Sequence, residues 1–339
     1  MNSPRAVLFG AGELPPALPV CDHYAGVEPR MTKSLQLQAA RGPIFDVTLD
    51  NEDGAPAGGE LEQAHLIAAL LGGADNQHGR VGVRLLPVAH PRFEDVARTV
   101  LAADKPPAYL MLPKPDGLAD VQRAAQTVAA LGGAAVPLHA LIETHGALHA
   151  AFAIAAHPRI ESLSFGLMDF VSAHRGAIPL SAMGGDAHGG QFDHPLVLRA
   201  KLEVAAACHA GNKVPSHCVF TEFKDSRGLQ KAAEIACRRL GYSRMWSIHP
   251  AQIEPIIEAF SPTVAELDQA IEVITAAQAA QWAPISHGAG HRQVLHDRAS
   301  YRYFWQVIER AHRTSLGLGI PSELRLAWFG PAAAPTPSR

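Results

Sequence analysis

The 339-residue chain has little that would tie it to a membrane, a nucleic acid or an oxidising compartment. No apolar run reaches the roughly 20 residues a membrane-spanning helix needs, and the stretch 1–16 lacks the order of regions of a secretory signal. With 29 basic against 32 acidic residues the formal net charge is −3, and no block of one sign offers a track for a phosphate backbone. The four cysteines, Cys21, Cys208, Cys218 and Cys237, form no Cys-x-x-Cys pair, and a chain this long has no need of disulfide staples, so they read as buried thiols. Neither GxGxxG nor GxxxxGK(S/T) occurs, which argues against a phosphate-cradling turn, and HExxH is missing despite 18 histidines. The four-residue spacings His145/His149 and His287/His291 read as surface or capping positions. A cytoplasmic protein with neither nucleic acid nor membrane as partner is the expectation.

What is present is a repeat of short apolar runs, each followed by a turn and then an Ala/Leu-rich stretch with helical periodicity. Eight runs read as strands: 17–20, 44–49, 81–86, 109–112, 138–142, 162–165, 214–220 and 245–248. Helices over 91–103, 121–131, 147–156 and 229–240 lie between them, two of them stopped by Gly132-Gly133 and Gly241. Eight βα units predict an α/β fold, a (β/α)8 barrel with a C-terminal helical appendage. The expected division is a barrel over 1–255, a helical extension over 256–316 that packs on a neighbouring subunit, and a tail over 317–339. The glycine-rich stretch 172–195 is too long for a plain connection and reads as a substrate loop.

Barrel enzymes collect their working groups at the C-terminal strand ends. Here those ends carry Asp50, Asn51, Glu52 and Asp53 (second strand), Arg84 (third), Lys114 (fourth), Glu143 (fifth), Asp169 (sixth) and His249 (eighth). A hard divalent cation takes one or two protein carboxylates and completes its shell with water and substrate, a demand that Glu143 and Asp169 on adjacent strands satisfy. The expected cofactor is Mg2+ (or Mn2+). Asp50, Glu52 and Asp53 are placed to orient metal-bound water, and Glu52 joins Arg84 in the catalytic set. Arg84 lies inside an apolar strand, VGVRLL, and needs an anion there: either a substrate carboxylate or enolate, or a structural partner such as Glu52 or Glu143. Flanking prolines and the nearby acids make Lys114 a positional or phosphate-contacting cation rather than a Schiff-base lysine.

At these positions the chain resembles the citrate lyase beta-subunit-like family, within the wider group of malyl-CoA and citramalyl-CoA lyases and HpcH/HpaI-type aldolases. The motifs are TLDNED (48–53), VRLL (83–86), LPKPD (112–116), LIETHGAL (141–148), SFGLMDF (164–170), VFTEFKDSRGL (219–229) and SIHPAQI (247–253). The resemblance implies Glu143 and Asp169 as metal ligands, Arg84 as the substrate-binding arginine and Glu52 and Asp53 as supporting acids. It also places on Asp297, in VLHDRASYR (294–302), a carboxylate that reaches a neighbouring subunit's site. Two departures stand out: LPVCDHYAGVEPRMTKS replaces the family's Pro-Gly opening, and Asn51 replaces a leucine.

The implied reaction is Mg-dependent, reversible aldol or Claisen-type cleavage of a 3-hydroxyacyl-CoA such as malyl-CoA or citramalyl-CoA, in a homo-oligomer (trimer or hexamer). Two alternatives stay open: a metal-dependent aldolase acting on a free hydroxy-oxo acid, and a lyase-complex subunit that works only with an acyl carrier partner.

Overall fold

The computed structural model describes residues 3–10, 17–185, 189–288, 293–315 and 319–330. They fall into two units, Pro15–Phe260 and a second one composed of Met1–Leu14 with Ser261–Arg339.

In the first unit eight parallel strands close in sequence order, with β8 returning to β1. They are β1 (Cys21–Ala25), β2 (Asp46–Asp50), β3 (Val81–Arg84), β4 (Leu110–Leu112), β5 (Leu138–Ile142), β6 (Ile160–Phe165), β7 (Val214–His217) and β8 (Arg244–Ser247). The second unit opens the helix count with α1 (Pro4–Phe9). The barrel's helices follow: α2 (Glu28–Arg41), α3 (Glu60–Gly72), α4 (Phe93–Leu101), α5 (Leu118–Val128), α6 (His145–His149), α7 (Ala151–Ala155), α8 (Leu167–Ser172), α9 (Pro195–Ala210), α10 (Ser226–Leu240) and α11 (Ile253–Phe260). The (β/α)8 fold is therefore as the alternating pattern predicts. Gly241, with φ 77°, ends α10 in the left-handed conformation that favours glycine.

The barrel interior departs from the usual branched apolar filling. Alternate residues of each strand face the helices or the axis. The outward set, Val47, Leu49, Val83, Leu110, Ala140 and Leu163 among them, forms one apolar layer with the helices. On the axis sits a polar layer. Fully buried Arg244 meets Asp22 at 3.0 Å and Asp46 at 2.6 Å. The Thr48 hydroxyl donates to Asp22 at 2.7 Å, and the Tyr109 hydroxyl donates to it at 3.0 Å. Above it lies a second layer of Tyr24, Met111, Leu141 and Trp246.

This network explains why the first strand lies four residues later than its expected place at 17–20. Asp22 and His23 look like loop residues, but Asp22 is a charge partner inside the barrel and the strand is Cys21–Ala25.

The second unit contains α1, α12 (Val264–Ala279), the antiparallel pair β9 (Ile285–His287) and β10 (Val294–His296), α13 (Arg298–Ser315) and α14 (Ser322–Phe329). A full capping box on Thr263 and Glu266 starts α12. The bulky stripe of α13, Tyr301, Phe304, Trp305 and Ile308, is buried in this unit's own core, with Leu8 of α1, Leu267 and Ile274 of α12 and Trp328 of α14. Both α1 and α14 are additions to the sequence expectation, which places 1–14 in the barrel and 317–339 in a tail. The C-terminal 331–339 lies outside the described residues.

Candidate active site

The C-terminal strand ends bring together seven of the eight residues singled out from the sequence. Asp50 closes β2, and Arg84 closes β3 beside it in register. Asp50 turns one carboxylate edge to the guanidinium: Oδ1 accepts from Arg84 Nε at 2.7 Å, Oδ2 accepts from Nη2, and the N–H groups of Glu52 and Gly54 complete its shell at 2.9 Å each. Arg84 Nη1 faces Glu52 Oε2 at 3.1 Å. Beneath, the Tyr24 ring lies 5.6 Å from the guanidinium carbon and stacks on Trp246 at 4.4 Å. Arg84 is thus held in one orientation by a two-pronged acid, a second acid and an aromatic floor.

Lys114 links the other acids. Its Nζ lies 2.6 Å from both Glu52 Oε1 and Asp53 Oδ2, and 3.6 Å from Asp169 Oδ1. Burial works against its charge, but the hydrogen bonds to Asp53 and Glu52 outweigh it and hold its pKa above the usual lysine value. A Schiff-base lysine needs the opposite shift, so the arrangement disfavours that chemistry. The backbone of Lys114, at φ 50°, aims its N–H at Glu143 Oε1, 2.8 Å away.

Glu143 follows β5 and is 2% exposed, whereas Asp169, in the first turn of α8, keeps a side chain 40% exposed. Burial and then the charge of Asp169 push the Glu143 carboxyl up to about 8. Gly166 is required by this packing, because a Cβ there would stand 2.2 Å from Glu143 Oε2. Five carboxylates, Asp50, Glu52, Asp53, Glu143 and Asp169, share the mouth with two cations, Arg84 and Lys114. That surplus of negative oxygen fits a divalent cation. Among the described residues no three acidic, histidine or cysteine side chains converge as a ligand set, so such an ion would take two protein carboxylates at most. Glu143 and Asp169 suit that demand.

The eighth residue, Asp297, lies in the second unit. Its Oδ1 caps α13 by accepting from the N–H groups of Ala299 at 2.9 Å and Ser300 at 3.4 Å. The stretch 172–195 carries a short helical turn, Leu180–Met183, and is pinned by Gln191, whose Oε1 accepts from buried Lys201 at 2.6 Å. Residues 186–188 lie outside the described set, as does His291.

A cavity of about 570 Å3 is lined by His23, Tyr24, Pro29, Arg30, Lys33, Ser34, Phe223, Ile248, His249 and Pro250. Sequence reasoning missed most of this wall because it depended on the placement of β1. The signals available were SIHP after the eighth strand, Phe223 within VFTEFKDSRGL, and LPVCDHYAGVEPRMTKS in place of the family's Pro-Gly opening.

No family model matches the chain. The L-malyl-CoA/beta-methylmalyl-CoA lyase of Cereibacter sphaeroides is 28% identical over 320 residues, 89% of this chain and 97% of that protein. A (3S)-malyl-CoA thioesterase of the same species is 30% identical over 261 residues, 76% of this chain and 83% of that protein. Among solved structures, a citrate lyase from Burkholderia xenovorans is 50% identical, with a TM-score of 0.80, covering 93% of this chain and 96% of that one. CitE from Mycobacterium tuberculosis, in complex with magnesium, acetoacetate and coenzyme A, is 20% identical with a TM-score of 0.66 over 87% of this chain and 98% of that one, a likeness of fold. Among the described residues no helix is long and apolar enough to cross a membrane.

Proposed function

The chain belongs to the citrate lyase beta-subunit-like family of carbon–carbon lyases, and from that premise we propose that it is a Mg-dependent lyase cleaving a 3-hydroxyacyl-CoA. The observation that carries the reading is the pair Glu143 and Asp169: one carboxylate buried and fixed by a backbone N–H, the other half open to the mouth. They would hold Mg2+ or Mn2+, which supplies Lewis-acid charge at the oxygens of a bound acid unit.

The chain's own residues then divide the work. Asp50 and Glu52 hold Arg84 so that its fixed positive charge favours the enolate that develops as the C2–C3 bond breaks. Lys114 keeps Glu52, Asp53 and Asp169 in place. Asp297, brought from a second copy of the chain, moves the proton at the hydroxyl or the enolate carbon. The cavity beside the mouth takes the CoA portion, with Arg30 and Lys33 facing its phosphates.

The test is calorimetric Mg2+ titration of wild type, Glu143→Ala and Asp169→Ala, together with an activity screen over acyl-CoA thioesters and 2-oxo acids. Unchanged Mg2+ affinity in either variant removes the site, and an absence of carbon–carbon cleavage across the panel removes the reaction. The likeness to the (3S)-malyl-CoA thioesterase favours one second reading, thioester hydrolysis, which releases the free thiol and leaves the acid uncleaved. The same screen separates the two products.

A further inference from the structure

The cavity wall holds a histidine that the reaction outlined above does not use. His23 stands on β1, one residue from Tyr24, and is 2% exposed. Its Nδ1 lies 2.9 Å from Ser247 Oγ on the neighbouring strand β8. Ser247 has one hydroxyl proton, and it is committed: the hydroxyl donates to the backbone carbonyl of His249 at 3.0 Å, an atom that can only accept. Ser247 Oγ must therefore receive the His23 contact, so Nδ1 carries the proton. Burial, and then the charge of His249, lower the His23 pKa to about 4, so the ring is neutral near pH 7. A neutral ring protonated at Nδ1 leaves Nε2 with a bare lone pair. With Nδ1 tied to Ser247, Nε2 is the nitrogen left to meet whatever occupies the cavity.

An acceptor at this point selects a donor, and so excludes the phosphates and carboxylates that suit Arg30 and Lys33 on the same wall. Those two side chains lie in the first two turns of α2, whereas His23 belongs to a barrel strand beside Arg84's aromatic floor. A CoA thioester that places its phosphates at the cations and its acyl end at the mouth must run its pantetheine arm between them, and the donors on that arm are two amide N–H groups and one hydroxyl.

We propose that His23 is a specificity-determining residue, whose Nε2 accepts a hydrogen bond from a donor of the pantetheine arm, an amide N–H or its hydroxyl. The assignment rests on the acyl-CoA reading of the site.

Two substitutions separate this role from a structural one, because each keeps one ring nitrogen's function. In His23→Asn the amide can still donate to Ser247 but nothing remains at the Nε2 position; in His23→Gln the longer side chain returns an acceptor to that position and gives up the Ser247 contact. Calorimetry of the full-length protein with CoA is expected to show affinity falling roughly three- to tenfold in His23→Asn, the loss of one ordinary hydrogen bond, and staying near wild type in His23→Gln. A structural role gives the reverse order of CoA affinities and overturns the proposal. Adenosine 3′,5′-bisphosphate, the nucleotide half alone, should bind the two variants and wild type alike; a loss there equal to that for CoA moves the contact to the adenine and equally overturns it. If wild type binds no CoA at millimolar concentration, the acyl-CoA reading fails and takes this inference with it, whereas CoA binding that is indifferent to both substitutions removes the inference alone.

Discussion

Arg84 has committed three nitrogens to Asp50 and Glu52, so its value to a reaction lies in a charge held still over the Tyr24 ring. Lysine would keep the charge but lose the planar fork and the stacking. Arg84→Lys is therefore expected to lower kcat by about 100-fold, the scale of losing a preorganised donor to developing negative charge. Steady-state kinetics checks it, and turnover per folded molecule preserved alongside a lower melting temperature would make Arg84 a structural ion-pair residue only. Gly166 allows a complementary test. Its substitution by alanine puts a methyl group 2.2 Å from Glu143 Oε2, and the carboxylate has to move. Gly166→Ala should weaken Mg2+ binding at least about tenfold while circular dichroism stays native; the size follows from about 1.4 kcal/mol per decade. At this scale the sequence was informative wherever a polar residue interrupted or ended an apolar run, as with Arg84, Glu143 and Asp169. It was silent on partner choice, since TLDNED does not tell which of its three acids takes the guanidinium. Asp50, expected to orient water, is the one that clamps Arg84 with both oxygens, and Glu52 bridges Arg84 and Lys114.

The strands beginning at Val81 and Leu138 were legible because an apolar run with a turn behind it reads the same whichever face is buried. Strand β1 was not, since its inward residue is an aspartate whose partner, Arg244, is 222 positions away in the chain. Removing that partner leaves Asp22 and Asp46 buried with less compensation. Arg244→Met should cost about 3–5 kcal/mol, and at about 2–4 °C per kcal/mol for a unit of this size the fall in melting temperature will be easily seen by calorimetry. A change within about 1 °C would mean that water or rearrangement serves the two acids. A second buried charge controls the long stretch before α9. Lys201 is fully buried against Gln191 and Phe192, and burial lowers its pKa to about 8. Between pH 8 and the ordinary lysine value the unfolded chain binds the proton and the folded chain does not. Stability from this group therefore rises with pH across that window, and the penalty is fully present below it. Lys201→Met removes the term, so the stability of wild type relative to the variant should climb from pH 8 to pH 10. A pH-independent difference in urea midpoints would refute the shift.

For the molecule as a whole, the question is whether one chain makes a complete site. The bulky stripe on α13 gives no argument for sharing, because Tyr301, Trp305 and Ile308 are buried by α1, α12 and α14 of the same unit. The sequence could not reveal this cover, because α1 and α14 fall in stretches that read as barrel and tail. What remains is Asp297, an exposed carboxylate ahead of α13 with one oxygen spent on the cap. If the cap is its whole purpose, Asp297→Asn should keep activity, since asparagine caps a helix about as well as aspartate. If the carboxylate serves a neighbour's site, Asp297→Asn is inactive although its helix is intact, and complementation then tells whose site it completes. Inactive Asp297→Asn and inactive Glu143→Ala chains, unfolded together and refolded as a mixture, would form hybrid oligomers in which some sites hold a wild-type Asp297 from one chain and a wild-type Glu143 from another. A shared site predicts recovered activity that rises to a maximum near equal proportions and is lost when either variant is in large excess. No recovery at any ratio, with hybrid assembly verified by native mass spectrometry, would place Asp297 and Glu143 in service of the same chain.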